Sequence, residues 1–474
     1  MHRARGHCPR RFREPARSAG VPVVSCLRQV ISVVPVAPAA TFRRWPVLRH
    51  AALATGQRPQ RRKTFTVLAM TCKGRVAPHS ARVYHQPGFR LVPSLRVRNP
   101  MDRRLFVRSG ATLGALGMGG LGFPRFANAT WSPRLQAGAI RMNSNENPLG
   151  LSPAARQAVI DNLDLANRYP GDLIGQLSDR MCSYYGINSD QLVLGAGSTE
   201  ILQMIVQGYA SPLRKLVLAE PTFEDVNDYR DTYPYDVATV PLNSRYEHDL
   251  NRMREESEKD GRPAMVYVCN PNNPTGTITP SAELDNWIAD APEHVLFLMD
   301  EAYYEYVDDP SYWSALKWVH DRPNVIVVRT FSKIYGMAGL RLGFGIAHPL
   351  AVRRMQDFAI HSSANQLALA AGIACFGDEE LMAKSREVNR EAREVTEACL
   401  DELGLEYLPT HGNFLMHRIS GDLDTYINRM SDAGLLVGRR FPPMLGYNRL
   451  SFSLPEHMEQ WAETLRDFRS KGWV

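Results

Sequence analysis

Between residues 191 and 347 the chain repeats one pattern, a short apolar run followed by a polar or helix-patterned stretch. The runs fall at 191–194, 215–219, 236–240, 264–269, 295–299, 324–328 and 343–347. The run at 324–328, N-V-I-V-V, is β-branched and reads as a strand buried on both sides. Strands alternating with helix-length segments predict an α/β sheet of seven mostly parallel strands. Ahead of it, helical periodicity predicts a helix over about 152–163, a break at N-R-Y-P (167–170) and a second helix over 173–185 stopped by Gly186. Beyond about residue 361 the strands thin out. A long helix rich in Glu, Arg, Lys and Ala is predicted over 378–403, then short strands at 414–418, 435–437 and 449–452, and a closing helix over 456–469. That part predicts a smaller α+β domain. Residues 130–145 read as a loose arm.

Charge changes the picture only at the front. The whole chain carries a net charge of +7, yet residues 1–100 hold 20 Lys or Arg against a single acidic residue, Glu14. The remainder holds 36 basic and 48 acidic residues, so an acidic body gives no reason to expect nucleic acid as a partner. The first hundred residues lack the apolar periodicity needed to bury a core. They are expected to be a disordered or wrongly extended start, with an Arg-rich transit peptide or a basic nucleic-acid arm as alternatives. Met101 opens M-D-R-R-L-F-V-R-S-G, followed by a Gly/Ala/Leu stretch at 111–123 and A-N-A at 127–129. A charged start, a short apolar segment and a small-residue cleavage site make the plan of an export signal. Arg103 and Arg104, with Phe106 beyond them, resemble the twin-arginine type. The expectation is therefore a leader at 101–129 and a periplasmic or otherwise exported body, a cytoplasmic one being the alternative. The apolar segment is too short and Gly-rich to span a membrane. The expected division is then 130–171 for the arm and part of the small domain, 172–362 for a large domain and 363–474 for a small one. Cys182, Cys269, Cys375 and Cys399 show no C-x-x-C or Cys/His spacing, and no metal site is expected.

Four stretches carry candidate chemistry, each after a predicted strand. T-F-S-K-I-Y-G-M-A-G-L-R, at 330–341, sets Lys333 beside Thr330, Ser332 and Arg341. In open α/β sheets ligands bind at the strands' carboxyl edge. A lysine amine there can condense with an aldehyde, and hydroxyls with an arginine suit a phosphate. An aldehyde and a phosphate on one small molecule suggest pyridoxal phosphate; a surface lysine in a polar loop is the plain alternative. G-A-G-S-T-E, at 195–200, opens a helix whose free N–H groups can take an anion, or is simply a capped turn. N-P-N-N-P-T-G, at 270–276, holds the Asn273 amide out from a strand end. D-E-A-Y, at 300–303, places Asp300 where it can keep a pyridinium nitrogen protonated or cap a helix, with Tyr303 within reach of a ring oxygen.

Together with N-E-N-P at 145–148 and R-Y-P at 168–170, these motifs resemble the fold-type-I, class I/II pyridoxal-phosphate aminotransferases, above all the histidinol-phosphate aminotransferase branch, over about 140–470. The resemblance implies amino-group transfer between an amino acid or histidinol-phosphate-like amino phosphate and a 2-oxo acid. A decarboxylase or lyase on the same fold, or a non-catalytic binding protein, is the alternative. It implies that Lys333 carries the cofactor and shuttles the proton, and that Asp300 pairs with the ring nitrogen. Asn273 and Tyr303 would bond the ring oxygen, Phe223 would stack on the ring, and Ser198, Thr199, Ser332 and Arg341 would hold the phosphate. Tyr169 would reach the phosphate of a neighbouring subunit, implying a homodimer. Arg449 would clamp the substrate carboxylate, with Asn147 also on the substrate side. Relatives commonly place an arginine for the substrate phosphate where this chain has Gly438; Arg439 and Arg440, next along, are the substitutes on offer, Arg439 the candidate, and the alternative is that both are solvated loop charges.

Overall fold

The structure, a computed structural model, describes residues 138–474. The expectations for residues 1–100, the leader at 101–129 and the start of the arm lie outside the described residues. The described strands, in chain order, are β1 (Ile140–Met142), β2 (Leu192–Gly195), β3 (Lys215–Glu220), β4 (Val237–Pro241), β5 (Ala264–Cys269) and β6 (Val295–Asp300), then β7 (Val325–Thr330), β8 (Gly343–Ala347), β9 (Phe414–Arg418), β10 (Leu435–Val437) and β11 (Tyr447–Ser451).

Strands β2 to β8 form one sheet in the order β2-β8-β7-β6-β5-β3-β4. Only β8 runs against its neighbours; the other pairings are parallel. The central strands are buried along their whole length. Successive residues of a strand face opposite sides, and two apolar layers result. Val266, Val268, Phe297, Met299, Val325 and Val327 enter one. Met265, Tyr267, Leu296, Leu298, Ile326 and Val328 enter the other. Each fully buried side chain of this kind contributes about 1.5–3 kcal/mol before entropy is counted.

The helix Gln366–Cys375 is apolar on every side, Q-L-A-L-A-A-G-I-A-C, and so is buried rather than amphipathic. It packs against the helix Pro153–Asp161. The layer it joins takes in Ala155 and, beyond residue 362, Ala364, Ala368, Leu369, Ala371, Cys375, Phe376, Leu381 and Met382. The packing around the sheet thus crosses the boundaries expected at 172 and 362. The smaller body's core begins at Ala392, partway along the helix Glu379–Leu403, and continues to Val474. A second departure concerns the arm. Ile140–Met142 is a strand, β1, parallel to β10, and Met142 is fully buried in that smaller core.

Because β3, β5, β6 and β7 are parallel, the segments following Glu220, Cys269, Asp300 and Thr330 leave the sheet at one edge. β2 lies antiparallel to β8 and so shares that direction, which puts the start of the helix Ser198–Tyr209 there too. Among the described residues no helix is long and apolar enough to cross a membrane.

Candidate active site

A cavity of about 550 Å³ opens at that edge of the sheet. One end of it is built to receive an anion. The helix Ser198–Tyr209 starts from Gly197 with no side chain capping it, and its first N–H groups are therefore unsatisfied. An uncapped helix start at a cavity wall is an anion site by dipole and by hydrogen bonding together. Arg341 closes this end. Its Nη1 donates to Ser332 Oγ at 3.3 Å and to the Ala338 carbonyl at 3.0 Å. Arg341 holds φ at +63°, a region that costs a side-chain-bearing residue roughly 1–2 kcal/mol. Gly197 is required here by proximity as well as by its φ of +82°: a Cβ would lie 2.3 Å from Arg341 Nη2.

The other end carries a buried carboxylate. Asp300, at the end of β6, accepts from Tyr267 Oη at 2.9 Å and from the Ala302 N–H at 3.1 Å. Burial pushes its carboxyl up to about 6, although the Tyr267 hydrogen bond works the other way. A cationic N–H brought to this carboxylate would relieve that cost. Lys333 Nζ lies on the cavity wall and donates to the Asn145 carbonyl at 3.2 Å. Burial, aided by the positive charge of Arg449, lowers the Lys333 ammonium to about 8. The amine is thus still mostly protonated at pH 7 but half neutral near pH 8, far more available than an ordinary lysine as a nucleophile or proton carrier. Tyr303 is buried, its ring centre is 5.4 Å from Lys333 Nζ, and its hydroxyl accepts from Asn145 Nδ2 at 3.0 Å.

Arg449, on β11, enters from the smaller body. Its Nη1 donates to Asn273 Oδ1 at 2.8 Å and its Nη2 to the Asn143 carbonyl at 2.7 Å, while its buried Nε has no partner. Burial lowers its guanidinium to about 10, leaving it a cation at neutral pH. A guanidinium held on two sides with one donor unsatisfied is prepared for a carboxylate. Gly438 packs its backbone on β11, with its N–H on the Arg449 carbonyl at 3.0 Å. A Cβ at Gly438 would sit 2.1 Å from that oxygen. No side chain can stand at that position without moving β11. Arg439 lines the cavity mouth and pairs with Glu224, whereas Arg440 pairs outside it with Asp424 and Asp422.

The structure brings Lys333, Asp300, Tyr303, Asn273, Ser198, Thr199, Phe223, Ser332, Arg341, Arg449 and Arg439 to one cavity. Asn147 does not join them. Its Nδ2 donates to the Ile334 carbonyl and Ser385 Oγ, and its Oδ1 accepts from the Leu149 N–H. The substrate role expected for it is therefore corrected: its side chain is spent on tying its own turn to the Lys333 loop at Ile334 and to Ser385. Tyr169 stands away from the cavity, 87% exposed. Three lining or supporting residues escaped the sequence reading. Asn145, at φ +51°, ties Tyr303, Lys333 and Ser451 together. Tyr267 orients Asp300, and a lone hydroxyl in the otherwise apolar run A-M-V-Y-V-C was its available signal. Glu224 shows itself only through its contact with Arg439.

An anion seat, a carboxylate opposite it, a low-pKa lysine and a hydroxyl–amide pair suit a planar, phosphorylated pyridine aldehyde. A family model described as aminotransferase class I and II matches residues 137–462. The chain is 36% identical over 332 residues to the histidinol-phosphate aminotransferase of Moorella thermoacetica, covering 69% of this chain and 85% of that protein. A solved protein from Erwinia carotovora atroseptica, proposed to be a histidinol-phosphate aminotransferase, superimposes with a TM-score of 0.70 at 36% identity, over 71% of this chain and 97% of its own. The histidinol-phosphate aminotransferase of Sinorhizobium meliloti in complex with pyridoxal-5'-phosphate shares the fold, with a TM-score of 0.66 at 23% identity over 74% of this chain and 99% of its own.

Proposed function

Since the chain belongs to the aminotransferase class I and II family, we propose that it moves an amino group between an amino acid or a histidinol-phosphate-like amino phosphate and a 2-oxo acid. It is a pyridoxal-phosphate-dependent enzyme. The observation that carries the reading is the meeting of Lys333, buried Asp300 and the uncapped helix start at Ser198 in one cavity. When bound, pyridoxal phosphate supplies the aldehyde that takes up the amino group and a ring that draws electrons from the bond broken at the α-carbon.

The chain's own residues do the rest. Ser198 and Thr199 N–H groups, Ser332 and Arg341 would seat the phosphate. Asp300, held in place by Tyr267, would keep the ring nitrogen charged. Asn273 and Tyr303 would bond the ring oxygen, and Phe223 would stack on the ring. Arg449 takes the substrate carboxylate. Lys333 Nζ, in its neutral form, accepts the proton from the substrate's α-carbon and returns it on the other side of the exchange.

Screening amino donors against 2-oxo acids tests the proposal. Turnover that depends on an oxo acid supports it. Carbon dioxide or ammonia released without consumption of an oxo acid would replace it with decarboxylation or elimination. Lys333→Ala is expected to lose both turnover and the visible absorbance of the loaded enzyme.

Two further features belong to this reading. Exposed Leu163, Leu165 and Tyr169 lie close together in the chain, which supports a homodimer in which Tyr169 serves the neighbouring site. The leader pattern at 101–129 supports export in folded form, with cofactor taken up beforehand. N-terminal sequencing of periplasmic material checks it, with Thr130 as the expected first residue.

A further inference from the structure

An enzyme that exchanges an amino group must admit two different side chains, in turn, to one cavity. The wall that meets those side chains is apolar: Phe223, Ile427, Val437 and Phe441. Its one ionic feature is the pair Arg439–Glu224. Arg439 presents both terminal nitrogens to the two Glu224 oxygens, with Nη1 to Oε1 at 3.2 Å. Arg439 also stacks on one ring with Arg449. Phe441 has the Arg439 guanidinium carbon 4.3 Å and the Arg449 carbon 4.6 Å from its ring centre. The two cations therefore lie at most about 9 Å apart, close enough for both ends of one small dicarboxylic acid to be met. Gly438 cannot itself carry a side chain into this wall, a Cβ there falling 2.1 Å from the Arg449 carbonyl oxygen.

We propose that Glu224 is a specificity-determining residue, a latch that a substrate's distal acid group displaces from Arg439. With the latch closed the wall is neutral and accepts an uncharged side chain. A distal carboxylate or phosphate exchanges places with Glu224 and takes the same fork of donors. The side chains of the pair are 49% and 43% exposed, and ion pairs so exposed are weak enough for a substrate to break. The proposal rests on the aminotransferase reading for its two-substrate logic, but its binding test does not.

The test uses the loaded full chain and two unreactive acids, glutarate and butyrate, titrated calorimetrically. Glu224→Gln is expected to tighten glutarate by about two- to fivefold relative to butyrate, the range an exposed ion pair can impose. Arg439→Gln is expected to remove the preference for glutarate. In turnover, Glu224→Gln should lower KM for 2-oxoglutarate relative to pyruvate without a matching change in kcat. An unchanged glutarate-to-butyrate ratio in either variant overturns the latch, as does a wild-type enzyme that binds no glutarate. Absence of turnover with every donor, alongside the expected binding ratios, would instead overturn the aminotransferase reading and leave the latch standing.

Discussion

At the scale of single residues the site runs on two groups moved off their ordinary protonation behaviour by burial. The Lys333 ammonium lies at about 8 in place of about 10.5, and only the neutral amine attacks an aldehyde. Cofactor capture by the cofactor-free protein should therefore speed up as pH rises through about 8 and level off above it. Stopped-flow absorbance across that range measures this. Asp300 is shifted in the opposite sense, to about 6 from 3.8. A carboxyl whose folded pKa is raised binds its proton more tightly when folded, so ionising it costs stability above about 6. That cost disappears as pH falls toward the unfolded value. Two pH units correspond to roughly 2–3 kcal/mol. Asp300→Asn should thus raise the melting temperature of the cofactor-free protein at pH 8, leave it nearly unchanged near pH 4, and abolish turnover. A melting temperature that fell at pH 8 would contradict this account of Asp300.

At the scale of elements, two arrangements set the site's shape. The first is the close approach of Gly197 to Arg341. Gly197→Ala should push the arginine out of the anion seat and weaken pyridoxal-phosphate binding by about tenfold or more, given a left-handed φ that itself costs roughly 1–2 kcal/mol. Equilibrium titration of the cofactor-free variant reads the loss. The second is a buried ion pair joining the ends of β6 and β7. Arg329 donates through Nε and Nη2 to Glu301 Oε2 at 3.0 and 2.8 Å, and Glu301 Oε1 accepts from the Ala315 N–H. Both side chains are almost wholly buried. Removing one partner of such a pair leaves an uncompensated charge and costs about 3–5 kcal/mol. Glu301→Ala should therefore destabilise the fold by that order in denaturant unfolding, next to the loop that carries Lys333.

At the scale of the whole molecule, the cavity needs both bodies. The large sheet supplies Lys333, Asp300 and the anion seat, while the smaller body supplies Arg449, Phe441 and Arg439. If a second copy completes the site, Tyr169→Ala should leave the chain folded and lower cofactor retention on dilution, with sedimentation reporting twice the chain mass for the parent protein.

Much of this is legible in the amino-acid sequence. The seven strands, the long helix ended at Gly404 and the residues at the four strand ends follow from apolar periodicity, turn residues and their order, all local properties. Lys333, Asp300 and Asn273 were legible because each ends or follows a strand, and parallel strands deliver their ends to one edge. Asn145 against Asn147 was not, since two asparagines in one turn look alike until the fold gives one to the cavity and the other to Ile334 and Ser385. Nor was the Glu224–Arg439 pair, whose members lie far apart in the chain. Local sequence determined which elements form and which chemistry their ends carry, because helix and strand patterns are read over a few neighbouring residues. Tertiary structure alone decided which side chains share a cavity, where the cores divide and which charges are buried, because those depend on residues brought together from distant parts of the chain.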